Sequence, residues 1–324
     1  MQAPPKVSVV IPTYNGARFI ERTVLSALRQ TYPHREIIVV DDGSTDDTPK
    51  ILEKFKNDII CIRTPNGGVA RAMNTGVLRA QGEWISFLDH DDLWFKNKME
   101  TKVKLSECYP QAGMICCDFI FRNNFTRRLG RNYGGYWKIF LNEKNEEIYV
   151  QDAFGLMLKG CVMGTCSAVM VRRDLIVESG LFNPSHRISG DYDCWLRCAA
   201  RLPVLFLNRV LAYKRTHKEN LSTRIEALFE YKDIVGNIAS AFPERLAPPK
   251  LRRVYDIERA KIDYIIGNTY YESSRPFKAF EHYFKGLGCS LSAWNILTFS
   301  WIFSKKFVRL LSLGILSRKR FGMR

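Results

Sequence analysis

Runs of apolar residues closed by polar clusters organise the first third of the chain. Val7–Ile11 is a continuous β-branched run ended by Pro12, the pattern of a strand buried on both faces. Phe19 to Leu28 has helical spacing, with Phe19, Ile20, Val24 and Leu28 on one side. Glu36–Val40 reads as a second buried strand, and Thr48-Pro49 as a cap-then-proline helix start. Ile59–Ile62 predicts a third strand, Gly68 to Ala80 a helix, Trp84–Leu88 a fourth strand and Lys96 to Cys108 another helix. Alternation of this kind predicts an α/β fold, a Rossmann-like, mainly parallel sheet flanked by helices.

Beyond about residue 113 the pattern loosens. Gly113–Phe121 and Ser167–Val171 read as further strands. Between them, Arg122 to Lys159 is polar, aromatic and glycine-containing, and is expected to be an irregular acceptor-side insertion. From Ala227 onward the signals are helical, and Arg259–Tyr271 with Pro276–Gly286 resembles a single tetratricopeptide-like helix pair. The expected division is therefore 1–225, with halves 1–112 and 113–225, followed by a helical extension, 226–324.

The tail carries a distinct pattern. No acidic residue follows Glu281, whereas Lys285, Lys305, Lys306, Arg309, Arg318, Lys319, Arg320 and Arg324 do. Ser290, Ser292, Asn295, Thr298 and Ser300 make the stretch between Lys285 and Lys305 too polar for a good spanning helix. Leu291, Trp294, Leu297 and Trp301 share one helical face, so the expected element is a basic amphipathic helix lying on an anionic membrane. The competing expectation is a terminal helix docked on the protein itself.

Composition narrows the partners. The 324 residues carry a net charge of +16, which asks for an anionic partner: nucleic acid, a phosphorylated small molecule or acidic lipid. Nine cysteines at irregular spacing, without a Cys-x-x-Cys pair, point to reduced thiols in a cytoplasmic compartment rather than a zinc ribbon. Met1 to Lys6 is polar and proline-containing, and the apolar run after it is too short for a signal-peptide core.

Candidate chemistry falls where the predicted strands end. Thr13-Tyr14-Asn15-Gly16, Asp41-Asp42-Gly43-Ser44, Pro65-Asn66-Gly67-Gly68 and Asp89-His90-Asp91-Asp92 follow the four strands in turn. In an open parallel sheet those loops share the ligand-binding edge. Asp89 and Asp91, separated by one residue after an apolar run, suit a hard divalent cation that completes its shell with water and phosphate. By itself an Asp-x-Asp turn is more often just a solvated loop.

The four clusters occur together and in order, and this changes the weighing. Val-Ser-Val-Val-Ile-Pro-Thr-Tyr-Asn at 7–15, Val-Val-Asp-Asp-Gly-Ser-Thr-Asp at 39–46, Asn-Gly-Gly-Val-Ala-Arg at 66–71 with Asn74 and Gly76, and Gly-Glu-Trp-Ile-Ser-Phe-Leu-Asp-His-Asp-Asp at 82–92 resemble the family-2 glycosyltransferases of the GT-A fold. The resemblance is strong over the first hundred residues and weaker over 165–222. It implies a nucleotide-sugar site, for a UDP-sugar, that takes in Pro12, Thr13, Tyr14, Asn15, Asp41, Asp42, Gly67, Arg71, Asn74, Asp89 and His90. Thr13 would touch base or ribose, Asp42 the uracil ring nitrogen, and Arg71 the base or diphosphate. Asp89 would contact ribose or donor sugar, Asp91 would hold Mg²⁺ or Mn²⁺ with Asp89, and the His90 side chain would point away from the metal.

The second block, Ser189-Gly190-Asp191-Tyr192-Asp193-Cys194-Trp195, is similar to the family's acidic motif at the mouth of a helix. Many members have Glu-Asp where this chain has Gly190-Asp191. The resemblance makes Asp191 the catalytic base, with Asp193 as its rival, and either carboxylate could instead be a helix cap. His217, followed by Asn220 and Ser222, resembles a further pattern and would reach metal or diphosphate, or else serve as a hydrogen-bonding loop residue. The Gln-x-x-Arg-Trp signature of processive members is absent, so transfer of a single sugar is expected. The implied setting is inverting transfer to a glycan or lipid-linked acceptor in surface-polysaccharide synthesis, at the inner face of the membrane, with no nucleic acid involved. A nucleotidyltransferase would need a glycine-rich phosphate loop where Pro12-Thr13-Tyr14-Asn15 stands, and a dehydrogenase a Gly-x-Gly-x-x-Gly turn. A non-enzymatic nucleic-acid- or lipid-binding protein is the alternative suggested by charge alone.

Overall fold

The structure, a computed structural model, describes residues 4–122, 129–131, 146–215, 226–273 and 275–289. His217 and the tail beyond Cys289 lie outside the described residues, as does most of the expected insertion. By compactness the chain divides into two units, Met1–Thr223 and Arg224–Arg324.

The first unit begins with β1 (Val7–Thr13), every residue of which is buried. Its β-branched side chains cover both faces, so β1 sits inside the sheet, parallel to β2 (Arg35–Asp41) and β4 (Trp84–Phe87). β3 (Ile60–Arg63) extends β2, also in parallel. Helices α1 (Ile20–Leu28), α2 (Thr48–Glu53) and α3 (Val69–Arg79) make the connections. α3 lies close over β1 because Gly76 has no side chain: a Cβ there would fall 2.4 Å from Val10 Cγ1.

After β4 come β5 (Leu93–Trp94), α4 (Lys98–Cys108), β6 (Met114–Arg122), β7 (Leu129–Arg131), β8 (Glu147–Val150) and α5 (Phe154–Met157). Then follow β9 (Val169–Arg172), α6 (Arg173–Glu178), α7 (Gly190–Ala199) and β10 (Val204–Lys214). The sheet order is β3-β2-β1-β4-β9-β6-β10-β5. The expected helix-flanked sheet is thus present, parallel through β3-β2-β1-β4 and mixed beyond. β9 runs antiparallel to both β4 and β6, while β10 is parallel to β6. The C-terminal ends of β1, β2, β4, β6 and β10 therefore share one edge with the N-terminal end of β9.

Packing against this sheet uses two buried lysines on α4. Lys98 Nζ donates to Ser86 Oγ at 3.0 Å and lies 3.8 Å from the Trp94 ring centroid. Lys102 Nζ donates to the carbonyls of Ile115 (2.8 Å) and Ala168 (2.5 Å). Burial, and then the neighbouring Lys102, hold Lys98 well below the usual lysine pKa. α7 is anchored by Trp195, whose ring packs against Phe87 and Phe182, with centroids 5.6 and 5.4 Å away. The Tyr192 hydroxyl donates to Met157 O at 3.0 Å. Burying a large apolar side chain of this kind contributes about 2–3 kcal/mol. The helix that begins at Gly190 is therefore fixed by its apolar face.

The second unit contains α8 (Glu226–Ala241), α9 (Pro249–Glu272) and α10 (Pro276–Cys289). Asp263 on α9 is buried and accepts from Lys232 Nζ on α8 at 2.6 Å and pairs with His282 Nδ1 on α10 at 2.8 Å. One carboxylate thereby ties three helices. Among the described residues no helix is long and apolar enough to cross a membrane.

Candidate active site

Four loops meet at the shared sheet edge. Thr13, the last residue of β1, stands in register with Asp41. It is buried, and its Oγ1 has no hydrogen-bond partner among the described residues. A Cβ on Gly16 would fall 2.5 Å from that oxygen and 2.9 Å from His90 Cδ2. The His90 ring thus packs on the loop after β1. Thr23 Oγ1 on α1 secures the other side, 2.7 Å from His90 O and 2.9 Å from Asp92 O. Pro12 is buried within β1, whereas Tyr14 is exposed. Asn15 braces neighbouring loops: its Oδ1 accepts from Thr45 N at 2.8 Å, and its own N–H donates to Ser44 Oγ at 2.9 Å.

Of the carboxylates after β2, Asp42 is met by backbone on both oxygens, whereas Asp41 Oδ2 is buried with no hydrogen-bond partner among the described residues. Asp41 Oδ1 accepts from Ser44 N at 2.9 Å, and its Oδ2 lies 3.5 Å from Arg63 Nε. Asp42 accepts from Gly67 N on one oxygen (2.9 Å) and Gly68 N on the other (2.7 Å). In this arrangement Asp42 shapes the loop that leads into α3. Arg71, on the first turn of α3, is exposed and folds over Gly67, where a Cβ would fall 2.7 Å from Arg71 Cδ. Asn74 turns its amide elsewhere. Its Nδ2 donates to Phe182 O (2.8 Å) and its Oδ1 accepts from Phe182 N (2.9 Å), a brace between α3 and the loop after α6.

The carboxylates after β4 are held differently. Asp89 N–H donates to Ser167 Oγ at 3.0 Å, and Asp89 Oδ2 accepts from Thr165 Oγ1 at 3.0 Å. Thr165 Oγ1 also lies 3.2 Å from Asp92 Oδ2, while Asp92 Oδ1 accepts from Arg215 N at 2.9 Å. Burial, and then the charge of Asp91, push the Asp89 carboxyl up to about 6. Burial, followed by Asp89 and Asp91, also raises Asp92 well above the ordinary carboxylate range. Lys214, near the end of β10, acts in the opposite direction on Asp89. Its Nζ is tied to Gly164 O at 2.9 Å.

The two rival carboxylates on α7 separate by environment. Asp193 is paired with Arg197, with Oδ2 2.8 Å from Nη2 and 3.2 Å from Nε. Arg197 also donates to the carbonyls of Ser179 and Leu181, so this pair fastens α7 to the end of α6. Asp191 stands at the mouth of the helix, with Oδ2 3.8 Å from Cys166 Sγ. Burial raises its pKa, and Lys214 partly offsets that rise. Asp191 Oδ1 also accepts the Tyr192 N–H in the first turn at 2.8 Å, and Ser189 occupies the cap position without a side-chain cap bond of its own.

Sequence reasoning missed Asp92, Thr165, Cys166, Ser167 and Lys214. The segment 164–167 arrives here because β9 is antiparallel to β4, with Ser86 opposite Met170. A polar run before a strand gives no sign of the direction in which that strand will lie.

The fit of a cation can be judged from these groups. No group of three or more His, Cys, Asp and Glu side chains is arranged for a metal among the described residues. Mg²⁺ commonly takes one or two carboxylates plus phosphate and water, and Asp89 with Asp91 fits that mode. Burial is the main reason the Asp89 carboxyl is raised, and the charge of Asp91, which comes next, is one a cation would relieve.

Comparison with known proteins agrees with this architecture. The family described as "Glycosyl transferase family 2" matches residues 8–178. The chain is 31% identical over 240 residues to the UDP-Glc:alpha-D-GlcNAc-diphosphoundecaprenol beta-1,3-glucosyltransferase WfaP of Escherichia coli, covering 72% of this chain and 86% of that one. Among solved structures, S. aureus TarS 1-349 in complex with UDP-GlcNAc superposes with a TM-score of 0.63 at 20% identity, over 80% of this chain and 72% of that chain. The mannosyltransferase PcManGT of Pyrobaculum calidifontis, in complex with GDP-Man and Mn²⁺, gives a TM-score of 0.59 at 19% identity, over 96% and 81%.

Proposed function

The chain belongs to glycosyl transferase family 2, and on that premise we propose an inverting, divalent-metal-dependent transfer of one sugar from a UDP-sugar to a lipid-linked glycan hydroxyl. The observation that carries the reading is the different state of the two acidic positions at the sheet edge. Asp89 is charge-crowded by Asp91, and Asp191 is buried beside a lysine, whereas Asp193 is spent on Arg197.

The orphaned Thr13 hydroxyl and the loop built by Asp42 would receive the nucleotide. Asp89 and Asp91 would hold Mg²⁺ or Mn²⁺, which when bound offsets the charge developing on the diphosphate. Asp191 would take the acceptor hydroxyl's proton as its oxygen bonds to the anomeric carbon and the nucleoside diphosphate departs. His217 would join the metal or diphosphate. The uridine assignment is supported by WfaP, described as using UDP-Glc, and by the UDP-GlcNAc complex of TarS. The metal is supported by the Mn²⁺ complex of PcManGT, and the lipid-linked acceptor by the diphosphoundecaprenol in the description of WfaP.

Delivery to such an acceptor would fall to the basic tail on an anionic membrane at the inner face. α10 supports this, since Phe277 and Phe284, seven positions apart, are 59% and 55% exposed beside Lys278 and Lys285. Each Lys or Arg near an anionic surface contributes about 1 kcal/mol. The intact chain should float with anionic liposomes at low salt, and a chain cut before Leu287 should float less. Equal flotation of the two would leave the tail without that role.

The test of the reaction is Asp191→Asn. Loss of a general base typically costs about 10²–10⁴-fold in rate. UDP binding by calorimetry should stay within about twofold of wild type, since shape is kept. Normal turnover in this variant, with Asp193→Asn inactive, would move the base to Asp193.

A further inference from the structure

The segment Gly164-Thr165-Cys166-Ser167 touches both acidic groups, although no motif in the sequence singles it out. Lys214 Nζ holds it at Gly164 O (2.9 Å), and Trp94 Nε1 holds it at Ser167 O (2.9 Å). Between these anchors three successive side chains face three ends of the site. Thr165 Oγ1 meets Asp89 Oδ2 and Asp92 Oδ2, Cys166 Sγ meets Asp191 Oδ2, and Ser167 Oγ accepts from the Asp89 N–H. Thr165 and Ser167 are buried, and Thr165 Oγ1 also receives the Ser167 N–H at 3.3 Å. The hydroxyl is therefore fixed by backbone before it reaches a carboxylate.

We infer that Thr165 is a positioning residue for the donor site, orienting Asp89 so that one carboxylate oxygen is committed to the protein and the other is left to a cation-bound diphosphate. Asp89 is gripped twice, at its backbone by Ser167 and at Oδ2 by Thr165, and both grips come from one short strap. A carboxylate on a short loop otherwise keeps its side-chain rotations, and ordering it during binding would weaken affinity. The same strap continues to Asp191 through Cys166, so donor-side and acceptor-side carboxylates share one backbone reference. The threonine acts through Asp89 and touches no reacting atom.

This inference rests on Asp89 being a donor-site group, and the experiment separates the two ideas. UDP binding to the full chain is measured by calorimetry with MnCl₂ and with chelator, for wild type, Asp89→Asn, Thr165→Val, Thr165→Ser and Ser167→Ala. Thr165→Val keeps the shape and removes the hydroxyl, so affinity in MnCl₂ should fall about tenfold, the size of one hydrogen bond to a charged group. In chelator it should change less than twofold. Thr165→Ser should restore binding in MnCl₂, and Ser167→Ala should weaken it about threefold. In an Asp89→Asn background, Thr165→Val should cost nothing further. If Thr165→Val folds poorly, seen by its melting curve, Ser167→Ala and the serine variant still decide. Wild-type affinity in Thr165→Val and Ser167→Ala would overturn the inference, as would a serine variant as weak as the valine one. Should Asp89→Asn itself bind UDP and Mn²⁺ normally, the donor-site role of Asp89 falls, and the inference with it.

Discussion

The loops after β2 and β4 both present neighbouring aspartates at the same sheet edge, yet they are built to opposite specifications. After β2, Asp41 and Asp42 are nearly inaccessible, and the N–H groups of Ser44, Gly67 and Gly68 reach one oxygen of Asp41 and both oxygens of Asp42. After β4, Asp89 is gripped on one oxygen and crowded by Asp91, and Asp92 is in turn crowded by both. The first loop is built mainly on backbone donors, and the second brings carboxylates together with fewer of them. Like residues in like positions thus differ in how many backbone donors reach them.

Substitution should expose the difference. Asp42→Asn exchanges a carboxylate for an amide and sets an NH₂ against a backbone N–H, so the protein should lose about 2 kcal/mol of stability. Denaturant titration would show this as a lower midpoint with an unchanged slope. An unchanged midpoint would mean that the loop into α3 does not depend on Asp42. Asp89→Asn should act in the other direction. Removing a crowded charge should stabilise the ligand-free protein at pH 8 by a smaller amount, about 1 kcal/mol after screening at this half-buried group.

The sign of the pH dependence follows from the shift. The folded pKa of Asp89, about 6, exceeds the ordinary carboxylate value, so the folded chain holds more protons there than the unfolded chain. The penalty is complete above that pKa and fades as pH falls through it. The stability advantage of Asp89→Asn should therefore shrink between pH 8 and pH 5. An advantage that grew on acidification would show that Asp89 is stabilised as the anion.

Legibility from sequence follows the same boundary. β1, β2 and β4 declared themselves because buried parallel strands are apolar throughout and stop at polar loops, which also located Thr13, Asp41, Asp42 and Asp89. The reversed direction of β9 left no trace in pattern, so Thr165, Cys166 and Ser167 could not be placed beside β4. α4 was expected as a helix, but nothing in its sequence marks Lys98 and Lys102, which are buried and serve hydroxyl and carbonyl acceptors. Asp191 and Asp193 look equivalent until Arg197, one turn on, claims the latter. The family resemblance places Asn74 in the nucleotide-sugar site, and nothing in the sequence signals that its amide also bonds Phe182, a contact across 108 positions.

The central claim is that the loop after β4 is completed by a cation and a nucleotide diphosphate together. The direct measurement is the thermal shift of the full chain with UDP alone, with Mn²⁺ or Mg²⁺ alone, and with both, since a ligand that binds only the folded state raises the melting temperature. The account predicts that the combined shift exceeds the sum of the separate ones, and that Asp89→Asn abolishes the excess. A full shift from UDP in the presence of chelator, with nothing added by either metal, would contradict it.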